Sequence, residues 1–188
     1  MEDGVLIGEP SIDPSTLIAD AHYILSRRKG AWFSLPAPHM LKLQDGYIGD
    51  EDEFSEAIAD MYGRLTREMR DMGVAGHVLI ADQADEIEIE MLTARKIVFF
   101  PRDPSIFDLE VLLEYQDDLI IPAAYMDRAQ DLMEQFNVRR LILTDPEIED
   151  LAATKTFMDH DMLEVGGYCK EDCPDYWRGL VERAFVTR

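Results

Sequence analysis

The sequence predicts an α/β protein of six to seven parallel β-α units, and three observations carry that prediction. Short, continuous apolar runs recur along the chain, amphipathic segments separate them, and in the second half the runs return at a nearly constant interval. Runs without polar alternation suit strands buried on both faces, as in parallel sheets covered by helices.

In chain order the runs are Val5-Leu6-Ile7, Ala31–Leu35, His77–Ala81, Ile97–Phe100, Leu119–Ile121 and Leu141–Leu143, with Met162–Val165 as a seventh. The first helix begins at Asp13-Pro14, an N-cap followed by a proline at N1. It carries an apolar stripe of Leu17, Ile18, Ala21 and Leu25. The second spans Glu51–Met72, with Phe54, Ile58, Met61, Leu65 and Met69 on one face and Gly73 where a C′ residue belongs. The acids Asp50 to Glu53 complement its dipole. Helical spacing also marks Pro104–Tyr115 and Tyr125–Phe136. Residues 85–92 read two ways, because Ile87 and Ile89 alternate like a strand where a crossover helix is required.

The central residues Val78, Val98, Leu119, Leu141 and Met162 lie 20, 21, 22 and 21 positions apart. Evenly spaced β-α units imply consecutive right-handed crossovers into a parallel sheet. The leucine-rich-repeat signature is absent, and so are the dinucleotide-binding glycine fingerprint and the phosphate-binding G-x-x-x-x-G-K-[ST] loop. A barrel-like arrangement, compact or incomplete, is therefore expected, with an open parallel sheet flanked by helices as the alternative.

Composition bounds the rest. The chain has 188 residues, 47% of them hydrophobic, which fits a single globular domain over 1–188 and excludes an acidic disordered tail. No apolar run approaches a membrane span, and no secretory signal is visible. A net charge of −21 speaks against nucleic acid and anionic membranes as partners. The bases are 13 Arg and only 5 Lys, against 22 Asp and 17 Glu. Such a surface suits a salt-rich cytoplasm, and base bias in a GC-rich genome gives the same pattern. Either way a soluble cytoplasmic protein is expected.

Two stretches resemble known families. Leu35-Pro36-Ala37-Pro38-His39, the long helix, and Gly73 through Asp82 resemble the cobalamin-independent methionine synthase barrels, in which a proline turn, a helix and an acid-ending strand follow one another. That implies a barrel-like fold. The family's His-x-Cys zinc pair does not occur here, so methyl transfer to a thiol is not implied. Separately, Ile106-Phe107-Asp108-Leu109 and Ile120-Ile121-Pro122-Ala123-Ala124-Tyr125 resemble a small family of uncharacterised archaeal proteins found mainly in methanogens, which implies an archaeal source.

Binding groups in parallel β-α folds gather at the carboxyl ends of the strands. Those positions hold His39, Asp82 and Asp145 as candidate acid/base groups, and Arg102, Asp103 and Tyr125 as candidate substrate contacts, Arg102 for an anion. The bland reading makes the aspartates helix caps and Arg102 their counter-ion. His39 is the preferred base, because its two-proline turn is rigid. His77 begins a strand and so lies at the far end from any rim site. Cys169 and Cys173, with His160 nine residues before the first, form a possible zinc half-site or two small buried side chains. A disulfide between them is disfavoured in a reducing cytoplasm.

No complete catalytic constellation can be written from these residues, so no cofactor is predicted. The expected function is a binding or assembly and regulatory subunit, with a protein partner or self-association through the helix Pro174–Phe185 and its Trp177, Leu180, Val181, Ala184 and Phe185. The alternative is a small-molecule enzyme or binding protein using the strand-end rim, for an anionic or one-carbon metabolite.

Overall fold

The computed structural model describes residues 4–94, 96–169 and 173–184. All its named strand pairs are parallel, and helices alternate with strands as the sequence predicts. The chain divides into two compact units, Met1–Arg102 and Asp103–Arg188.

In the first unit β1 (Val5–Leu6) leads into α1 (Ser15–Leu25) and β2 (Trp32–Pro36). Pro14 occupies the N-cap, so the helix starts one residue later than expected, and the Asp13 carboxylate just before it accepts the Ser15 N–H at 3.0 Å. A 3-10 turn, Pro38–Leu41, and a two-residue strand β3 (Gln44–Asp45) precede α2 (Glu51–Asp71). The α2 helix follows its sequence signals closely. Asp50 accepts the N–H groups of Asp52 and Glu53, the first turn is acidic, and Gly73 takes the left-handed conformation (φ +110°) just past Met72. Its buried face is Ile58, Ala59, Met61, Tyr62, Leu65, Thr66 and Met69.

The rest of this unit is β4 (Gly76–Ala81), α3 (Glu86–Leu92) and β5 (Ile97–Pro101), in a sheet ordered β2-β4-β5. The ambiguity over residues 85–92 resolves as helix. Asp85 caps it by accepting the Glu88 N–H at 3.0 Å, and Ile89 and Leu92 are buried. All five residues of β5 are buried, as expected of a strand covered on both faces.

The second unit repeats the unit of strand plus helix. It runs α4 (Leu109–Tyr115), β6 (Asp118–Pro122), α5 (Met126–Gln135), β7 (Arg140–Thr144), α6 (Ile148–Thr154), β8 (Leu163–Gly166) and α7 (Pro174–Arg183). Helix α4 starts five residues later than the apolar spacing suggests, because Asp108 caps it and residues 103–108 form a turn. Leu119, Ile121, Leu141 and Leu143 are fully buried. At the strand starts, Arg140 reaches Asp118 on the neighbouring β6 and Glu164 on β8. Phe185, assigned by sequence to the face of α7, lies outside the described residues.

The parallel α/β part of the fold expectation is met, and closure into a barrel is not. Among the described residues the strands form three separate parallel sheets, β1-β3, β2-β4-β5 and β6-β7-β8, and no closed barrel. Closure requires one continuous ladder in which every strand is bonded on both edges. Here β1 is only two residues long and pairs with β3, and each larger ladder stops after three strands. Even spacing reports the local β-α repeat, which open and closed sheets share. Among the described residues no helix is long and apolar enough to cross a membrane.

Candidate functional site

The polar centre of the first unit forms where β2 and β4 end. The Ala37 N–H bonds the Ile80 carbonyl at 2.7 Å, which holds the start of the proline turn against the last residues of β4. Two residues on, His39 is thereby set beside Asp82, which follows β4 directly. The third element is the first turn of α3, where Glu88 is almost completely buried.

His39 joins all three. Its backbone N–H donates to Glu88 Oε1 at 2.6 Å, its Nδ1 lies 2.8 Å from Glu88 Oε2, and its Nε2 lies 2.9 Å from Asp82 Oδ1. The Arg102 guanidinium, one residue past β5, stands 3.8 Å from the other Asp82 oxygen. Exposure is graded across the cluster. The side chain of Glu88 is 4% exposed, that of His39 12%, and those of Asp82 and Arg102 38% each.

The electrostatics follow from this geometry. Burial disfavours the imidazolium, but the hydrogen bond and charge of Glu88, then those of Asp82, outweigh it and hold the His39 pKa above its ordinary value. A neutral imidazole has one N–H and could satisfy only one of two flanking carboxylates, whereas the cation donates to both. Burial also pushes the Glu88 carboxyl up, with the hydrogen bond from His39 opposing. Beside them Tyr62 on α2 is buried, and its hydroxyl is pushed up to about 12 by desolvation and then by the Glu88 charge. The cluster as a whole holds its proton tightly.

Glu88 fixes and orients the ring from the buried side, while Nε2 points to the exposed side, where Asp82 and Arg102 form the rim. Such a pair can deliver a proton from Nε2 to an oxygen that takes the place of Asp82, with Arg102 as the local countercharge for an anion. It is not a metal cage, because the two carboxylates sit on opposite ring nitrogens rather than converging on one point. Among the described residues no group of three or more His, Cys, Asp or Glu is arranged to hold an ion.

Of the six rim candidates, His39, Asp82 and Arg102 thus come together. The other three belong to the second unit. Asp103 accepts from the backbone and hydroxyl of Ser105, at 3.0 and 2.6 Å, and so braces a turn. Tyr125 ends a 3-10 turn (Ala123–Tyr125) at the start of α5 and is half-buried. Asp145 follows β7 with φ +53°, and its carboxylate accepts the Tyr176 hydroxyl proton. Among the residues of the zinc expectation, His160 is exposed and pairs with Asp161 at 2.9 Å. Cys169 and Cys173 are joined in a disulfide, contrary to the expectation of reduced thiols, and in that state they offer no thiolate to an ion.

Glu88 is the residue that sequence reading missed. The signal was present in the helical reading of 85–92. With the helix starting after Asp85, Glu88 lies one turn before the buried Leu92, so it shares the inward face. The strand reading of Glu86–Glu90 hid this.

These features define the chain as a parallel α/β protein with a partly buried histidine held between two carboxylates at the ends of its strands. No protein-family model, curated protein or solved structure matches the chain.

Proposed function

We propose that the strand-end rim of the first unit is a small-molecule site that binds an anionic metabolite next to Arg102 and donates a proton to it from His39. The observation that supports this most is the single constellation of His39, Glu88, Asp82 and Arg102, graded from buried to exposed, which sequence reading lacked when it judged no site complete. Glu88 keeps the ring oriented and charged, Asp82 holds the working proton in the resting state, and the substrate oxygen replaces Asp82 at Nε2. The test is a panel of inorganic phosphate and small mono- and dicarboxylates, with the His39 ring protons followed by NMR. At least one member should shift them, and Arg102→Gln should weaken that binding about tenfold, the loss of one charge-assisted contact. A ring that responds to no member of the panel would remove the reading.

A second reading, an assembly or regulatory subunit that self-associates through α7, is favoured by Trp177 and Val181. They lie one turn apart on that helix and remain 43% and 57% exposed. A Trp177→Glu variant that leaves the sedimentation coefficient unchanged would set it aside. Under either reading the acidic, arginine-over-lysine composition supports an archaeal, cytoplasmic setting.

A further inference from the structure

The second unit carries a device that the proposed proton donor does not use. Helix α7 is tied to the ends of β7 and β8 mainly through its first turn. Its N-cap residue is Cys173, bonded to Cys169 in the segment leaving β8. One turn in, the Tyr176 hydroxyl donates to the Asp145 carboxylate and accepts the Tyr168 N–H at 2.8 Å. There is no room for a side chain beneath that contact, because a Cβ on Gly167 would strike the Tyr176 hydroxyl and come within 2.7 Å of Leu180. Farther along, the helix is lightly held. Among the described residues of α7 only Leu180 is buried, and the Arg183 Nε stands 3.9 Å from Glu147.

We propose that the Cys169–Cys173 disulfide is a reversible redox latch that keeps α7 docked, and with it Tyr176 seated on Asp145. A bridge across four positions closes a very short loop, so its effect on the unfolded chain as a whole is small. What it restrains is the point at which α7 starts. Both cysteines are half-buried, within reach of a small dithiol. The thiolate of that dithiol attacks one cysteine sulfur, forms a mixed disulfide and expels the other cysteine as thiolate. The second thiol of the reductant then closes on its partner sulfur. Two electrons and two protons pass to the protein, which gains two thiols, and the reductant leaves as a disulfide. With its N-cap released, α7 loses the covalent tie at the point where it starts, and among its described residues only Leu180 is buried. Tyr176 withdraws, and the Asp145 carboxylate at the end of β7 opens to solvent.

The experiment compares the oxidised chain, the same chain in dithiothreitol, and a Cys169→Ser/Cys173→Ser variant, by hydrogen exchange and by spectrophotometric titration of tyrosine. In the oxidised chain desolvation and then Asp145 push the Tyr176 hydroxyl up to about 12. Reduction is expected to cut protection of the α7 amides by about tenfold, as in a sub-global opening, and to leave the first unit unchanged. It should also bring the tyrosine back toward its ordinary value of about 10. The double variant should behave as the reduced chain without reductant, and Tyr176→Phe should leave α7 docked while the bond is intact. The latch is overturned by equal α7 protection in the oxidised and reduced chains, or by α7 release in Tyr176→Phe with the disulfide intact. Loss of protection throughout both units on reduction, or docking kept in the reduced chain by one bound zinc per molecule, overturns it as well.

Discussion

The two ends of the β2-β4-β5 sheet each hold a histidine shielded from water, and the two are in opposite states. At the carboxyl end His39 has a carboxylate on each ring nitrogen, and its charged form is favoured. At the amino end His77, the second residue of β4, is fully buried with neither nitrogen hydrogen-bonded, beside Arg70. Burial and then the Arg70 charge push its pKa down to about 4, so it is neutral. Burial alone therefore does not decide protonation. For these two histidines the supply of partners does, and His39 finds its partners where the turn after β2, the segment after β4 and the start of α3 meet.

The largest expected effect breaks the partnered end. Glu88→Ala leaves His39 with an unmatched buried N–H and a cavity, and should cost about 3–5 kcal/mol in chemical denaturation. Next come the opposite pH signs. His77 binds a proton in the unfolded chain near its ordinary value of 6.5 but in the folded chain only near about 4. Its contribution is therefore complete above pH 6.5 and lost as pH falls, by about 3 kcal/mol across that window. The pH dependence of His77→Leu, measured against the parent chain, should lack that loss. His39 works the other way. Its raised pKa gives stability that is complete below 6.5 and lost as pH rises through the folded value. At neutral pH His77→Leu should itself be stabilising by about 1 kcal/mol, since it removes two unsatisfied nitrogens. The smallest effect is that of Asp82→Asn. Its half-exposed, salt-screened pair with His39 should change stability by under about 1 kcal/mol, yet the ring titration should move down measurably by NMR. An unchanged His39 titration in that variant would contradict the two-carboxylate account.

The same contrast explains what was readable beforehand. Local signals held where the deciding forces are local. Asp50 and Gly73 bound α2 through bonds within a few residues, and the unbroken apolar run 97–100 had no other stable place than a covered strand. The sequence also put His39, Asp82 and Arg102 on candidate positions, because strand ends can be located from the apolar runs. The placement of His77 at the far end followed from the same reasoning. It could not show that the imidazole there would have no partner.

By itself, then, the sequence determined the β-α alternation, the parallel pairing and the ends at which polar groups collect, all of which follow from short-range periodicity. Only the tertiary structure decided that the ladders stop short of a barrel, that the three remaining rim candidates belong to a second unit, and that Glu88 turns inward to grip His39 from 49 positions away. Those outcomes rest on contacts between residues far apart in the chain. The free energy of such a contact depends on which desolvated partners meet, and no spacing within one segment records that.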